Sequence, residues 1–123
     1  MKLKDLIIAR KVIYDRRENK IPSRLAYKFM KIMKASDNED AFYNEKLRAL
    51  IEEYSIKDEK GKTKIVNGEF RIKANCISDY NVAVEELGDT EVEVPNIKFT
   101  LSELEGLSFT VEEIFYLDAF IEE

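Results

Sequence analysis

The sequence predicts an α+β fold: an N-terminal antiparallel helix pair with one long helix, a β-hairpin plus a third strand, and short C-terminal helices. Apolar residues recur at helical spacing through the first half of the chain, and this periodicity is the main indication of helix. Asn67-Gly68 separates two short runs of alternating residues, a pattern typical of a hairpin. The 123 residues, 45% of them hydrophobic, suffice for a single domain over residues 1–123.

The first helix is expected over residues 3–19. Its apolar side chains form one stripe, while most of its basic side chains point elsewhere. Pro22 breaks the helical pattern because the residue before a proline disfavours helical geometry, and Ser23 can cap the next helix. The apolar stripe consists of Leu3, Leu6, Ile7, Ile13 and Tyr14.

The second helix is expected to be one long helix of about thirty residues that ends near Tyr54. Its apolar seam repeats at steps of three and four residues, which is typical of a helix packed lengthwise on another. The seam turns polar at Ser36 and Asp40, so two helices that meet at a short break are the alternative. One helix is favoured because residues 36–40 contain neither Gly nor Pro. The seam consists of Leu25, Phe29, Ile32, Ser36, Asp40, Tyr43, Leu47, Leu50 and Tyr54.

The β-structure is expected in the middle and later parts of the chain. Residues 62–73 predict a hairpin whose two-residue turn, Asn67-Gly68, has positive φ at both positions. The pairing gives one apolar and one mainly basic face. Residues 91–100 alternate well enough to form the third strand, with Pro95 at an edge or a bend. The facing apolar pairs of the hairpin are Ile65 with Phe70 and Thr63 with Ile72.

Short helices are expected in the last third of the chain. Residues 79–87 form one that Gly88 closes, and Thr100 or Ser102 starts a helical turn. Residues 110–113 have the capping-box pattern that opens a final helix. Its expected exposed acids are Glu112, Glu113, Asp118, Glu122 and Glu123, and its expected inward residues are Ile114, Leu117, Phe120 and Ile121.

Charge is divided between the two halves of the chain. Residues 1–66 carry 17 Lys/Arg against 11 Asp/Glu, whereas residues 67–123 carry 3 against 14, so the net charges are +6 and −11. Segregation of this kind is useful when the two signs meet within the fold, between protomers or on a partner. The charge pattern therefore indicates binding or assembly.

A basic stripe is expected on the second helix, where cations recur at steps of three and four residues. It predicts an anion site for a nucleotide-like small anion or, less in keeping with the acidic whole chain, nucleic acid. Docking of the stripe on the acidic half of the same or a neighbouring chain is the interpretation that is favoured over these ligands, and an acidic protein partner is a further alternative. The predicted ligand-binding residues are Arg16, Arg17, Lys20, Arg24, Tyr27, Lys28 and Lys31.

The long helix also predicts self-association. It is apolar on more than one side, so it is either central in its own fold or buried against another chain. A homo-oligomer through this helix is the prediction. The expected interface residues are Phe29, Ile32, Tyr43, Leu47, Leu50 and Tyr54.

The residue inventory argues against catalysis. The chain has no His and therefore no ordinary general base near neutral pH, and its single Cys cannot build a zinc centre. It has no Gly-rich phosphate loop, so we expect no catalytic residue, no metal and no cofactor. The apolar run of residues 6–9 is too short for a signal peptide or a membrane span, so a cytoplasmic location is expected.

Several segments resemble a family of small proteins of unknown function encoded by phages and prophages of low-GC Gram-positive bacteria. The segments are residues 20–28, the helix around residues 45–54, the polar hairpin of residues 57–73 and residues 89–94. This resemblance implies a phage context, hence the cytoplasm of an infected host, and it carries no active-site residues.

Three functional hypotheses follow. The first is a non-catalytic phage accessory protein that binds, such as a host-defence antagonist that sequesters a nucleotide-like signal or blocks a defence protein. The second is a virion or tail assembly accessory protein, for which complementary charged halves are suited to stacking. The third is a nucleic-acid-binding regulator, whose binding would be sensitive to salt.

Overall fold

Five α-helices and one two-stranded sheet are found within residues 1–122, the part of the chain that the computed structural model describes. The central helix, α1 (Leu3–Tyr14), contacts each of the other four helices. Three 3₁₀ turns lie at Ala74–Cys76, Leu101–Leu104 and Asp118–Phe120. The elements are α1 Leu3–Tyr14, α2 Ser23–Ala35, α3 Asp37–Tyr54, α4 Ile77–Gly88, β1 Phe99–Thr100, α5 Val111–Leu117 and β2 Ile121–Glu122.

The predicted single long helix is wrong, because the chain breaks at Ser36 between α2 and α3. The buried Arg10 of α1 lies at this break and donates hydrogen bonds to the Met33 carbonyl (2.6 Å) and the Ser36 hydroxyl (2.7 Å). Its guanidinium also pairs with Asp37 (3.1 Å) and Asp40 (3.5 Å) in the first turn of α3. Arg10 thus satisfies a carbonyl at the end of one helix and carboxylates at the start of the next.

The predicted hairpin and third strand are not formed as strands. The Asn67-Gly68 turn does form, with φ of 54° and 78° and two backbone hydrogen bonds between Val66 and Glu69 (2.8 and 3.0 Å). Beyond that pair, the two flanks bond to residues 55–57 instead of to each other, with Ser55 opposite Ile72 and Lys57 opposite Thr63. An isolated hairpin is marginal in water, and Ile65 on its apolar face is 59% exposed. We refer to residues 55–73 as the lobe.

The sheet of the described region is instead a short parallel pair near the end of the chain. β1 pairs with β2, with Phe99 opposite Ile121 and Thr100 opposite Glu122. Earlier in the expected third strand, only Glu91 forms a bridge, antiparallel to Lys2. The α+β class therefore stands, with much less strand than expected.

The first helix ends at Tyr14 and not at residue 19, because residues 15–18 form a turn. The short helix before Gly88 is confirmed as α4. Gly88 itself is buried, and a Cβ there would lie 3.1 Å from Cβ of Lys4, so the residue is required for close packing of α4 on α1.

The capping box of the last helix is confirmed. The Glu113 amide donates to the Thr110 hydroxyl (3.1 Å), and the Thr110 amide donates to the Glu113 carboxylate (2.9 Å). Leu117 and Phe120 are buried, as expected of inward residues. Glu113, expected to be exposed, is half-buried in an ion pair, and Glu123 lies outside the described residues.

The apolar core is built from the two ends of the chain. Phe29 and Phe99 meet edge to face with ring centroids 5.5 Å apart. The core residues are Leu6, Ala9, Val12, Ile13, Leu25, Phe29, Ile32, Phe99, Leu104, Leu117 and Phe120.

The remaining part, residues 37–88, forms an arm of α3, the lobe and α4. No apolar side chain of the arm is fully buried; its buried positions are Ser55 and Gly88. The two arm helices pack on each other through half-buried residues, including Tyr54 and Tyr80, whose ring centroids are 6.2 Å apart. The arm therefore contributes little to the apolar core.

Candidate functional site

A pocket of about 440 Å³ lies between the end of α1, the following turn and α2. Small-molecule sites commonly have volumes of about 300–1,000 Å³ and apolar walls with a few polar groups. Its apolar lining residues are Ile13, Ile21, Ala26, Phe29, Met30 and Met33, and its polar lining residues are Tyr14, Arg16, Arg17, Asn19 and Lys20. We call this the α1–α2 pocket.

Three of the predicted ligand-binding residues line this pocket, namely Arg16, Arg17 and Lys20. Arg17 is exposed and stacks on the Tyr14 ring, with its guanidinium carbon 4.0 Å from the ring centroid. Its Nη1 also donates to the Tyr14 carbonyl (3.1 Å), and the remaining donors of the stacked guanidinium are available to an anion. Within residues 1–122, neither Arg17 nor Lys20 forms an ion pair with a carboxylate.

Arg16 is already paired within the chain. It binds the Glu113 carboxylate with both terminal nitrogens (2.6 and 2.8 Å), donates to the Ser108 carbonyl (2.7 Å) and stacks on Phe109. The Arg16 hydrogen bond, with help from the Thr110 amide, lowers the pKa of Glu113 from 4.5 to about 2. Arg16 therefore lines the pocket mainly as a structural residue.

Glu113→Gln is expected to lower the free energy of unfolding by about 1–2 kcal/mol at pH 7, because it discharges a two-point ion pair partly shielded from solvent. A carboxylate whose pKa falls on folding stabilises the fold above its unfolded pKa. That contribution is lost as the pH falls from about 4.5 to about 2. Urea unfolding at pH 7 and near pH 2, followed by circular dichroism, measures the change.

The matched control is Glu112→Gln. Glu112 is exposed, and its substitution removes the same charge from the adjacent position. We expect it to change the free energy of unfolding by less than about 0.5 kcal/mol. A difference between wild type and Glu113→Gln that is as large near pH 2 as at pH 7 would contradict the ion-pair account.

Lys28 of the basic stripe, like Arg16, is neutralised by an acidic residue from the second half of the chain. Its ammonium lies 2.8 Å from the Glu103 carboxylate, and this hydrogen bond, followed by that from the Thr100 amide, lowers the pKa of Glu103. Arg16 and Lys28 thus pair with the acidic second half of the same chain, which is one of the interpretations that the sequence leaves open. Arg24, one turn before Lys28, is exposed on α2.

The other two predicted residues, Tyr27 and Lys31, lie in a shallow depression beside the α1–α2 pocket. Met30 lines both, so the two surfaces are continuous. The Lys31 ammonium lies 5.4 Å from the centroid of the exposed Tyr27 ring, and Lys34 also lines the depression. The residues of the basic stripe therefore lie in three places: in this depression, in the α1–α2 pocket, and at Lys28, which is paired with Glu103.

The apolar part of the site is not predicted by the sequence pattern. Ile21, Ala26 and Met33 were not among the predicted ligand-binding residues, although they form the wall that Arg17 and Lys20 border. Met30 and Met33 are apolar residues that lie outside the main apolar seam of the second helix. Their position is the only indication of this wall in the sequence.

The expected oligomer-interface residues have two different locations. Phe29 and Ile32 are buried in the chain's own core, so they are not accessible to a second chain. Tyr43, Leu47, Leu50 and Tyr54 are half-buried on α3, the helix that packs on α4. The seam of the second helix is thus used largely within the chain.

The side chains around the pocket are of the kinds that binding sites use. The pocket offers an apolar wall, an exposed phenol ring and two cations without carboxylate partners in the described part of the chain. Over residues 1–122, no group of three or more Cys, Asp and Glu side chains is arranged to hold a metal ion. Within the same residues, no helix is both long enough and apolar enough to cross a bilayer.

Comparison of the chain with protein-family models, curated proteins and solved structures finds no match.

Proposed function

We propose that this protein acts by binding, without catalysis, and that its ligand is a small nucleotide-like anion held in the α1–α2 pocket. The observation that carries the proposal is the position of Arg17 and Lys20 at the border of an apolar pocket of about 440 Å³. An amphipathic anion needs both features, because its ring requires apolar contact and its phosphate requires cations.

The surroundings of the pocket support a ligand with a flat ring. Tyr14 and Tyr27 are both more than half exposed, and each already has a cation over its ring. Aromatic side chains with adjacent cations are suited to stacking a base while binding its phosphate. Met30 lies between the two surfaces and supplies an adaptable apolar contact.

The biological setting of the proposal comes from the resemblance to phage-encoded proteins. In the cytoplasm of an infected bacterium, a protein without catalytic residues can antagonise host defence by sequestering a nucleotide-like signal. Blocking a defence protein directly is the variant of this hypothesis in which the same cations meet an acidic protein surface.

Replacing both Arg17 and Lys20 by Glu is expected to weaken ligand binding at least tenfold, because the reversal removes two favourable charge interactions and adds repulsion of phosphate. Isothermal titration calorimetry with a panel of linear and cyclic adenine and guanine nucleotides measures the effect. The matched control replaces Lys46 and Arg48 by Glu, the same charge change on exposed residues of α3 outside the pocket. The control is expected to bind like wild type.

Absence of binding heat across the panel would overturn the nucleotide proposal. Equal loss of affinity in both double variants would show a general effect of charge and not a site. Salt-sensitive retention of wild type on single-stranded or duplex DNA, without nucleotide binding, would support the regulator hypothesis instead.

A further inference from the structure

The outer face of α5 carries two of the most exposed apolar side chains of the described chain. Val111 is 90% exposed and Phe115 is 71% exposed, and their spacing of four residues places them on the same side of the helix. Acidic residues surround them: Glu112 lies on α5, and Asp5 and Asp118 line the same shallow depression as Phe115. Residues 99–123 contain no Lys or Arg. We call this acidic apolar surface the α5 face.

One side of the lobe combines exposed apolar side chains with cations, because Ile56 and Val66 line a shallow depression together with Lys64, Arg71 and Glu69. Four of the five large apolar side chains of the lobe, Ile56, Ile65, Val66 and Phe70, are each between 38% and 59% exposed. It has three acids against six cations, and one of the acids, Asp58, accepts hydrogen bonds from the amides of Lys60 and Lys62. The cations are Lys57, Lys60, Lys62, Lys64, Arg71 and Lys73.

The cations of the lobe are not neutralised by carboxylates in the part of the chain that the structure describes. Over residues 1–122, none of the six cations forms an ion pair with a carboxylate. In the same region, no hydrogen bond joins the lobe to residues 99–122. The α5 helix packs on α1, whereas the lobe connects α3 to α4. The two surfaces are therefore both available to another molecule.

We propose that the α5 face of one copy docks on the lobe of a second copy. Apolar side chains at the centre with complementary charges around them are what a specific protein interface requires. The two surfaces are different parts of the chain, so the contact is heterologous, and repetition gives a ring or an open filament. The association is independent of the α1–α2 pocket, which neither surface includes.

The proposal can be tested with two variants that each damage one surface. Phe115→Asp disrupts the α5 face, and Val66→Asp combined with Lys64→Glu disrupts the side of the lobe that carries Ile56 and Arg71; all three substituted positions are exposed, so the fold should be retained. Far-UV circular dichroism checks the folding of each variant. Sedimentation velocity over a range of concentrations then measures the mass of each protein alone and of the two variants mixed in equal amounts.

Wild type is expected to grow in mass with concentration, and each variant alone is expected to stay monomeric. The equimolar mixture is expected to form a dimer and nothing larger, because it restores one intact pair of surfaces and no more. The affinity in the mixture should fall at least tenfold between low and high salt, since opposite charges border the contact. Val82→Ser, at an exposed apolar position of α4, is the control and should associate like wild type.

Three results would overturn the proposal. Wild type that stays monomeric at all concentrations shows that the α5 face and the lobe do not join copies of this chain. A mixture that remains monomeric shows that the α5 face and the lobe do not bind each other. Variants that associate like wild type show that self-association uses a different surface.

Discussion

Arg10→Met is expected to lower the free energy of unfolding by about 2–4 kcal/mol. Arg10 is only 9% exposed. Its guanidinium donates hydrogen bonds to the Met33 carbonyl and the Ser36 hydroxyl at the break between α2 and α3. Methionine fills a similar volume but donates no hydrogen bond, so these acceptors and the Asp37 carboxylate lose their partner.

The measurement for Arg10→Met is urea unfolding at neutral pH followed by circular dichroism. Arg24→Met is the matched control, because it makes the same chemical change at an exposed position of α2 and is expected to cost less than about 0.5 kcal/mol. A loss below about 1 kcal/mol for Arg10→Met would mean that water replaces the guanidinium at the break.

Phe99→Ala is expected to lower the free energy of unfolding by about 3–5 kcal/mol, the largest effect among the predictions. Phe99 is fully buried, meets the Phe29 ring edge to face, and lies on β1 opposite Ile121. The truncation removes apolar burial, leaves a cavity and eliminates the ring contact. Small domains have about 5–15 kcal/mol of stability in total, so this variant is expected to be close to unfolding.

Phe99→Leu keeps the measurement possible if the alanine variant does not fold, and its expected loss is about 1–2 kcal/mol. Phe42→Ala is the control for deletion of a ring, because Phe42 is 44% exposed on α3. Urea unfolding of the three variants should give the order Phe99→Ala, Phe99→Leu, Phe42→Ala from largest to smallest loss. An equal loss at positions 42 and 99 would contradict the assignment of the core.

The features that the sequence predicted well are those whose causes are local. The capping box at Thr110 and Glu113 depends on residues three apart, and the Asn67-Gly68 turn depends on two adjacent residues. Both formed as expected. Helical periodicity likewise located the helices, although the first ended earlier than expected.

The features that sequence analysis missed depend on distant residues. The break at Ser36 is bridged by Arg10, which lies 26 positions earlier, and nothing near Ser36 shows that partner. The flanks of the predicted hairpin bond to residues 55–57 because those residues offer backbone partners on both sides. Tertiary pairing of this kind overrides local preference.

The candidate site was predictable in its charges and not in its shape. The cations were visible in the sequence, but the pairing of Arg16 with Glu113 and of Lys28 with Glu103 joins residues 97 and 75 positions apart. The apolar wall at Met30 and Met33 is formed only when α1 and α2 pack together. Which cations face a ligand is therefore decided by the fold.

The arm lacks a buried apolar core, and this has a consequence for the order of folding. The core joins residues 6–32 to residues 99–120, so the long segment between them must be closed into a loop before the core residues can meet. Since the arm adds no fully buried apolar side chain, it gains little stability until that closure has occurred. We therefore expect the arm to behave as an insertion into a smaller helical unit, in which changes of chain length are tolerated better than in the segments that form the core.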